Sequence, residues 1–278
     1  MSNTYDVEVK FNLATTGGLN KNEVIEQKNA DLNSSIRYAL TIQKASFPSI
    51  QELREAIPDS FVYHLPRDIV SGDFYWYRQV GSKFIISCAD CTGHGVPGAL
   101  TSMIGIALLN EIVGGNKITD PSEILKLLDQ GVLKAFENSE SETNDGMDVS
   151  LITIDTDKKI IEYAGAYRPL IRIRNGELTE YKSTKMSIGF KDVIHKTFEK
   201  TTLNIEDGDC FYMFSDGYPD QFGGEKSKKF KTKVMKEMLV ENHQLSMSDQ
   251  MINVDERLKL WMGDEEQVDD ILVLGLKL

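Results

Sequence analysis

The sequence has few cysteines, no long uncharged apolar segment and no excess of positive charge. Its 278 residues include 31 Lys and Arg against 43 Asp and Glu, which gives a formal net charge of -12 at pH 7. This acidic balance argues against a nucleic-acid ligand, because most of the surface would repel a polyanion. No segment reaches the roughly 18 to 20 uncharged apolar residues of a membrane helix, and the N-terminus lacks a signal-peptide pattern. We therefore expect a cytoplasmic protein without membrane insertion.

The three cysteines are Cys88, Cys91 and Cys210. An odd number in a chain of this length predicts reduced thiols rather than a disulfide framework. Cys88, Cys91 and His94 follow one another at intervals of three, which raises the alternative of a zinc or redox motif. Alternation along an extended strand places residues 88 and 91 on opposite faces, and no second pair of ligands is close in the sequence. Buried thiols without a metal are therefore the favoured interpretation.

The first regular pattern runs from Lys21 to Phe47 and contains neither glycine nor proline. Alternating steps of four and three place these residues on one helix face: Ile25, Asn29, Leu32, Ile36, Ala39, Gln43 and Ser46. The spacing is compatible with a short coiled coil and predicts a homodimer through the N-terminal helix. A helix that packs on its own domain is the alternative, since fewer than four heptads are present. We assign residues 1–52 to an N-terminal arm and linker helix, and residues 53–278 to a second domain.

Short β-prone segments separated by turn signals dominate the chain from Ser60 onward. The predicted strands are Phe61–Leu65, Asp73–Val80, Lys83–Ala89, Val149–Asp155, Lys159–Ala164, Leu170–Arg174, Glu177–Tyr181, Thr197–Ile205, Cys210–Phe214 and Ile271–Leu276. Asn175-Gly176 predicts a two-residue hairpin, since both turn positions need positive φ. Helical patterns fall in two blocks, and Asp120 before Pro121 is a predicted helix N-cap. Antiparallel strands with helices in blocks indicate an α+β fold with sheets packed on each other and helices outside.

Several aspartates lie where a predicted strand meets a glycine-containing or polar loop. They are Asp73, Asp90, Asp216, Asp269 and Asp270. Carboxylates brought together raise one another's pKa and oppose folding, unless a divalent cation neutralises them. Oxygen ligands favour hard ions such as Mg²⁺, Mn²⁺ or Ca²⁺, and two ions about 4 Å apart activate water for attack on phosphorus. A single strand-end aspartate is more often a turn former or helix cap, so spacing alone leaves the metal site a hypothesis.

Six ordered segments resemble the successive motifs of one enzyme family. They are HLPRDIVSGDFYWY (64–77), CADCTGHGVPGALTSMIG (88–105), GMDVSLITID (146–155), IEYAGAYRPLIRIRNGE (161–177), GDCFYMFSDGYPDQF (208–222) and VDDILVLGL (268–276). Together they resemble the stage II sporulation protein E type phosphatase domain, the bacterial branch of the PPM, or protein phosphatase 2C-like, metal-dependent Ser/Thr phosphatases. The resemblance implies a four-layer α-β-β-α sandwich with two central antiparallel sheets flanked by helices. It also identifies residues 53–278 as the phosphatase domain and likens residues 25–49 to the linker helix of such proteins.

The resemblance implies a dinuclear Mn²⁺ or Mg²⁺ centre at one end of the sandwich. Asp73 corresponds to a ligand of one ion, and Asp90 corresponds to the carboxylate that bridges both ions. Cys91 corresponds to a ligand through its backbone carbonyl rather than its sulfur. Asp216 and Asp269 correspond to the ligands of the other ion. These four aspartates are thus the implied catalytic residues.

Three further residues are candidates for supporting roles in the implied site. Asp270 is adjacent to an implied ligand and is expected to orient it from outside the coordination sphere. Eukaryotic relatives carry a phosphate-binding arginine before the first acidic motif, and no residue here is assigned as its equivalent. Arg67 and Arg168 are instead the candidate phosphate contacts. Asp148 lies in another family-like motif and is not expected to coordinate an ion.

The function implied by the resemblance is hydrolysis of phosphoserine or phosphothreonine by metal-activated water, without a covalent phosphoenzyme. In relatives the substrate is often a STAS-domain anti-sigma-factor antagonist, which implies signalling by partner switching. One alternative is a catalytically weak dimerisation module that uses the fold for partner binding. Another is a phosphoesterase for a small diffusible substrate. An acidic residue at every implied ligand position argues against the inactive module.

Overall fold

Four layers of helices and sheets make up the computed structural model, which describes residues 21–137, 145–190 and 196–278. The strands are β1 (Ser60–Leu65), β2 (Phe74–Val80), β3 (Lys83–Cys91), β4 (Met147–Asp155), β5 (Ile160–Ala166), β6 (Leu170–Arg174), β7 (Glu177–Tyr181), β8 (Lys200–Asn204), β9 (Cys210–Phe214), β10 (Phe222–Gly223), β11 (Lys228–Lys229) and β12 (Ile271–Lys277). The helices are α1 (Lys21–Ser46), α2 (Ile50–Ala56), α3 (Gly95–Leu109), α4 (Pro121–Ala135), α5 (Gly217–Asp220), α6 (Thr232–Asn242) and α7 (Met247–Met262). The predicted α+β sandwich is confirmed. The predicted N-terminal arm, residues 1–20, falls outside the described residues.

The two large sheets are both antiparallel, which determines which strand ends lie together. The first sheet has the strand order β1-β12-β9-β6-β7, and the second has the order β2-β3-β4-β5-β8. Neighbouring strands in both sheets pair antiparallel. The start of one strand therefore lies beside the end of the next. One end of the sandwich consequently collects the starts of β2, β4 and β12 together with the ends of β3 and β9.

Strand side chains alternate between the core layers on either side of each sheet. In β3, Ile85 packs towards α3 and α4 with Leu125, whereas Ile86 packs between the two sheets with Phe211. A third apolar cluster, which includes Met235, lies between the first sheet and helices α6 and α7. Because side chains on a strand alternate with period two, a register shift by one residue would exchange these layers. The apolar pattern therefore fixes how far each strand end extends towards the site.

Two local predictions about chain reversal and helix initiation are confirmed. Asn175 and Gly176 join β6 to β7 with φ values of 52° and 82°, as a two-residue hairpin with both positions left-handed requires. Asp120 caps α4, because its side chain accepts hydrogen bonds from the backbone N–H groups of Ser122 and Glu123. Such a cap contributes about 1 kcal/mol to helix stability. The hairpin and the first turn of α4 are therefore determined by residues that are close together in the sequence.

The apolar segment Gly95–Gly115 contains α3 and a π-helical turn, Asn110–Gly115. By length and composition it is the one helix in the described residues that meets the criteria for crossing a membrane, but half of its most apolar window is buried inside the protein. Core helices of water-soluble domains meet the same criteria. Its buried residues, including Ile106 and Leu109, pack in the core layer between the second sheet and α4. These contacts agree with a core helix rather than a membrane span.

Helix α2 crosses the predicted boundary between residues 52 and 53. Leu53 on this helix is buried in the core between the two sheets. Helix α1 precedes it and contacts α3 of the phosphatase-like sandwich. The division into residues 1–52 and 53–278 therefore stays a prediction, and it separates two segments that pack together.

The C-terminal part of α1 is seated on the sandwich, which corrects one feature of the predicted coiled-coil seam. Gln43 is 2% exposed. Its amide donates to the carbonyl oxygen of Ser71 at 2.6 Å and to Ser102 Oγ at 3.0 Å, and it accepts from the backbone N–H of Ser71 at 3.1 Å. A side chain engaged in this way cannot face a partner helix. Further N-terminal on α1, Ile25 and Leu32 are exposed.

Candidate metal centre and active site

Acidic side chains from both sheets meet at the end of the sandwich that collects the starts of β2, β4 and β12. They are Asp73 before β2, Asp90 in β3, Asp148 in β4, Asp216 after β9, and Asp269 and Asp270 before β12. Each lies near enough to others of the group for their charges to act on one another. The structure thus brings together the four aspartates that the family resemblance implies as ligands.

The loop before β2 approaches the loop after β3 very closely, and Gly72 makes this approach possible. A Cβ atom at position 72 would lie 2.7 Å from the carbonyl oxygen of Gly93 and 3.3 Å from that of Cys91. Any larger residue would push the two loops apart. The close packing places the carbonyl of Cys91, an implied ligand, beside the loop that carries Asp73.

Asp270 fastens the loop that carries Asp73 to the first sheet. Its Oδ2 accepts from the backbone N–H of Gly72 at 2.7 Å, and its Oδ1 accepts from the backbone N–H of Arg67 at 2.8 Å. The side chain is buried, and both of its oxygens are engaged by backbone donors. This geometry agrees with a role in orienting neighbouring residues. The Arg67 side chain is exposed, and Arg67 contacts the site through its backbone.

Arg168 lies at the centre of the acidic cluster, in the turn between β5 and β6. Its Nη2 donates to Asp90 Oδ2 at 2.6 Å and to Asp216 Oδ2 at 2.7 Å. The same atom is 3.4 Å from Asp148 Oδ2. One guanidinium therefore connects carboxylates of β3 and β4 in the second sheet with that of the loop after β9 in the first sheet. Of the two candidate phosphate contacts, the structure places the side chain of Arg168 among the predicted ligands, whereas the exposed side chain of Arg67 stays a candidate.

Burial and mutual repulsion raise the pKa of several carboxyl groups in the cluster. Burial raises the pKa of Asp73 well above its ordinary value, and neighbouring carboxylates add to the effect. Burial also raises the pKa of Asp90 to about 7, although the positive charge of Arg168 opposes this shift. The pKa of Asp148 and that of Asp269 are raised as well, chiefly by burial. Full ionisation of the cluster therefore needs additional positive charge.

The donor set fits hard divalent cations. Asp73 Oδ2 is buried without a hydrogen-bond partner. A buried, ionised oxygen without a partner costs several kcal/mol, which a cation would offset. Across residues 21–137, 145–190 and 196–278, no three acidic, histidine or cysteine side chains already surround one common point at coordinating distance. Two of the predicted ligands, Asp90 and Asp216, instead contact the guanidinium of Arg168.

The cysteine motif does not form a zinc site. Cys88 packs between the two sheets and Cys91 packs on the opposite face, towards α3 and α4, as strand alternation predicts. Burial raises the pKa of both thiols well above the ordinary value, which disfavours the thiolate that zinc requires. His94 precedes α3, and its Nδ1 lies 2.8 Å from Asp68 Oδ2 at the surface.

The sequence named Gln43 and Asp148 but did not predict their contacts in the site region. Gln43 holds the backbone of Ser71, two residues before Asp73, although helical periodicity placed Gln43 on a dimer face. Asp148 pairs in register with Asp90 and receives a hydrogen bond from Ser187 at 2.5 Å. Both contacts join residues distant in the chain, and no local signal in the sequence reports them.

Comparisons with known proteins identify similar folds. Among solved structures, the chain is similar to the SiaA-PP2C domain of Pseudomonas aeruginosa, with 29% sequence identity and a TM-score of 0.82 over 90% of this chain and 98% of that one. It is also similar to the PP2C phosphatase domain, with a fragment of the regulatory domain, of SpoIIE from Bacillus subtilis: 19% identity, TM-score 0.61, 79% of this chain and 63% of that one. A third similar structure is RsbX in complex with magnesium, with 17% identity and a TM-score of 0.55 over 79% of this chain and 94% of that one. The last two similarities concern the fold alone. A search of curated protein sequences found no match.

The family assignment rests on the sequence itself. The model of the family described as stage II sporulation protein E (SpoIIE) matches residues 81–278. This match includes β3 to β12 and every strand end of the acidic cluster except the loop before β2. The chain therefore belongs to the SpoIIE family, and its fold is that of the PP2C-type phosphatases.

Proposed function

We propose that this chain is a metal-dependent phosphoprotein phosphatase that hydrolyses phosphoserine or phosphothreonine. The carrying observation is that Asp73, Asp90, Asp216 and Asp269 meet at one end of the sandwich in a member of the SpoIIE family. The similarity to PP2C phosphatase domains supports the protein phosphatase class. Buried oxygen donors, one of them without a partner, support a hard divalent cation at this site.

In this proposal a few residues hold the metal ions, bind the phosphate and position the loop of Asp73. Asp73, Asp90, Asp216, Asp269 and the backbone carbonyl of Cys91 would hold two Mn²⁺ or Mg²⁺ ions. Bound there, the ions would lower the pKa of a water molecule that could then serve as the nucleophile. Arg168 donates to the phosphate oxygens, for which a guanidinium is well suited. Asp270 keeps the loop of Asp73 in place through its backbone contacts. The magnesium in the RsbX structure supports Mg²⁺ as one candidate ion.

The proposed substrate is a phosphorylated regulatory protein with a STAS-like fold, and the proposed role is cytoplasmic signalling by partner switching. Family membership is the support for this partner. The broad acidic balance of the chain also favours a protein over a nucleic acid. A phosphatase for small diffusible esters and a catalytically weak binding module are the competing functions.

A phosphatase assay with the full chain tests the proposed function. The substrates are a STAS domain phosphorylated on serine and the small ester p-nitrophenyl phosphate, each with Mn²⁺ or Mg²⁺. We expect turnover of the phosphoprotein that stops with excess EDTA and returns when metal is added in excess of the chelator. Turnover of the small ester alone would favour the diffusible substrate. Absence of turnover on both substrates with either metal would favour the binding module.

We also propose that the chain forms a homodimer through the N-terminal part of α1. Helix periodicity places Ile25 and Leu32 on the same face as Gln43, which is buried on the sandwich. The same helix face therefore carries exposed apolar side chains towards its N-terminus. Ile25 is 47% exposed and Leu32 is 60% exposed. A second copy of the same helix would cover them, as in a short coiled coil.

Replacing Leu32 with aspartate is expected to convert the dimer to a monomer. A carboxylate at the centre of an apolar helix seam is costly to bury, so the dissociation constant should rise at least about 100-fold. Sedimentation velocity over a concentration series measures the change. The control is Ser34→Asp, an exposed residue on the opposite face of α1, which should leave the dimer intact. A wild-type chain that sediments as a monomer throughout, or a Leu32→Asp dimer, would refute the proposed interface.

A further inference from the structure

The guanidinium of Arg168 occupies a position that is unusual for a phosphate-binding arginine. Its Nη2 atom contacts acidic side chains, and the side chain is only 17% exposed. The Nη2 atom is 2.6 Å from Asp90 Oδ2 and 2.7 Å from Asp216 Oδ2. Both aspartates are proposed ligands of the metal ions. One permanent positive charge is therefore paired with the same oxygens that a divalent cation would use.

The turn that carries Arg168 is firmly held, whereas the guanidinium is incompletely satisfied. The hydroxyl of the buried Tyr163 donates to the carbonyl oxygen of Arg168 at 2.7 Å, and the backbone N–H of Arg168 donates to the carbonyl oxygen of Ala166 at 2.7 Å. In contrast, Nε of Arg168 is buried without a hydrogen-bond partner. The backbone thus fixes where the side chain begins, and one donor of the guanidinium is unused.

The pairing of Arg168 with Asp90 and Asp216 has an electrostatic consequence for metal binding. Arg168 supplies a permanent positive charge to the carboxylates of Asp90 and Asp216. A divalent cation bound by these two residues would supply positive charge to the same carboxylates. Two positive groups cannot both contact Asp90 and Asp216 without repulsion, because Coulomb energies between close charges are large in a partly buried site.

We propose that Arg168 is an internal counter-ion that competes with the metal ions for Asp90 and Asp216 and thereby sets the metal affinity of the site. The inference rests on the proposed function, since it takes these aspartates as metal ligands. Metal binding displaces the guanidinium from the two carboxylates. The displaced arginine, still tethered beside the ions by the β5–β6 turn, then donates to the phosphate of the substrate. Arg168 therefore pairs with the two aspartates before metal binds and with the phosphate afterwards, and it uses the same N–H donors in both cases.

The sign of the effect on metal affinity separates this role from a merely structural one. When a binding-competent arrangement is only partly populated, the apparent dissociation constant increases by the inverse of that population. Removal of the competing charge should therefore tighten metal binding. If Arg168 only held the carboxylates in place, its loss would disorganise them and weaken metal binding. The two explanations predict opposite shifts of the same measured constant.

Isothermal titration calorimetry with Mn²⁺ on the full chain tests the inference. We expect Arg168→Gln to bind Mn²⁺ at least about tenfold more tightly than the wild-type chain. We also expect it to unfold at a lower temperature in EDTA, because the carboxylates of Asp90 and Asp216, whose side chains are 19% and 45% exposed, lose their positively charged partner. Arg168→Lys keeps the charge without the planar fork and should give an intermediate affinity. The matched control Arg54→Gln removes one exposed charge on α2 and should bind Mn²⁺ as the wild type does.

The outcomes are distinguishable from a failure of the proposed function. If the wild-type chain and Arg168→Gln both fail to bind Mn²⁺, the proposed metal centre is wrong and the inference falls with it. If both bind Mn²⁺ but Arg168→Gln binds with equal or lower affinity, the competition is refuted while the metal centre stands. Should Arg168→Gln not fold, an Arg168→Lys affinity equal to or weaker than that of the wild type refutes the competition in its place.

Discussion

Replacing Asp90 with asparagine is expected to lower metal-dependent turnover of a phosphoprotein by about 10³-fold or more. Asp90 is central in the acidic cluster: it contacts Arg168, pairs in register with Asp148 and acts electrostatically on Asp73. Asparagine preserves the shape of the side chain but removes the charge that a bridging ligand needs. The assay compares kcat and KM at saturating Mn²⁺ for the variant and the wild-type chain.

The loss should appear in kcat and in metal affinity rather than in folding. Neutralising one carboxyl group relieves repulsion in a cluster whose members have raised pKa values, so the variant should remain folded in EDTA. The control is Asp220→Asn, a partly exposed residue at the end of α5 that pairs with Lys229. It lies four positions after Asp216 and should retain wild-type turnover. An Asp90→Asn variant with undiminished turnover would refute the assignment of Asp90 as a ligand.

The sequence predicted the strands well because the relevant signals are local. Leu170–Arg174 and Glu177–Tyr181 were predicted with the bounds that the structure has, since a hairpin signal and alternating side chains determine both ends. The short pair β10–β11 and the helix α2 were not predicted. These elements are too short to repeat either pattern more than once or twice, and they contact α7 and β1.

The acidic cluster was partly predictable, and Arg168 was predicted as a phosphate contact, but its pairing with two of the aspartates was not. Family motifs identified Asp73, Asp90, Asp216 and Asp269, and strand direction explains why they meet. The contact of Arg168 with both Asp90 and Asp216 depends on β6 pairing with β9 in the sheet opposite β3. That arrangement is a property of the topology, which no local pattern encodes. Gln43 illustrates the same limit, since helical period alone does not say which neighbour covers a face.

A buried ion pair between α4 and the segment before β8 is expected to contribute strongly to stability. Lys196 Nζ donates to Asp129 Oδ1 at 2.8 Å, and the two side chains are 2% and 8% exposed. Lys196 also donates to the carbonyl oxygen of Ser187, and Asp129 accepts from the backbone N–H of Gly189. Ser187 in turn donates to Asp148 in the acidic cluster. The pair thus fastens the segment that reaches the site onto α4.

Replacing Asp129 with leucine should lower the free energy of unfolding by about 3–5 kcal/mol, because the ammonium of Lys196 stays buried without its counter-charge. Urea unfolding followed by circular dichroism measures the change. The control on the same helix is Glu123→Gln, whose partner Lys126 is about half exposed. Such a surface pair contributes at most about 1 kcal/mol. A loss below about 1 kcal/mol in Asp129→Leu would contradict the prediction.

The double variant Asp129→Leu, Lys196→Met separates the cost of an unpaired charge from the value of the pair itself. Removing both charges eliminates the buried ammonium, so most of the loss in the single variant should be recovered. Recovery should be incomplete by about 1–3 kcal/mol, because the carbonyl of Ser187 and the N–H of Gly189 each lose a hydrogen-bond partner. Those two backbone groups belong to the segment that reaches Asp148, so the residual loss measures how firmly this segment is held beside the acidic cluster. A double variant as unstable as the single one would mean that Asp129 acts through the backbone of this segment alone, and not through Lys196.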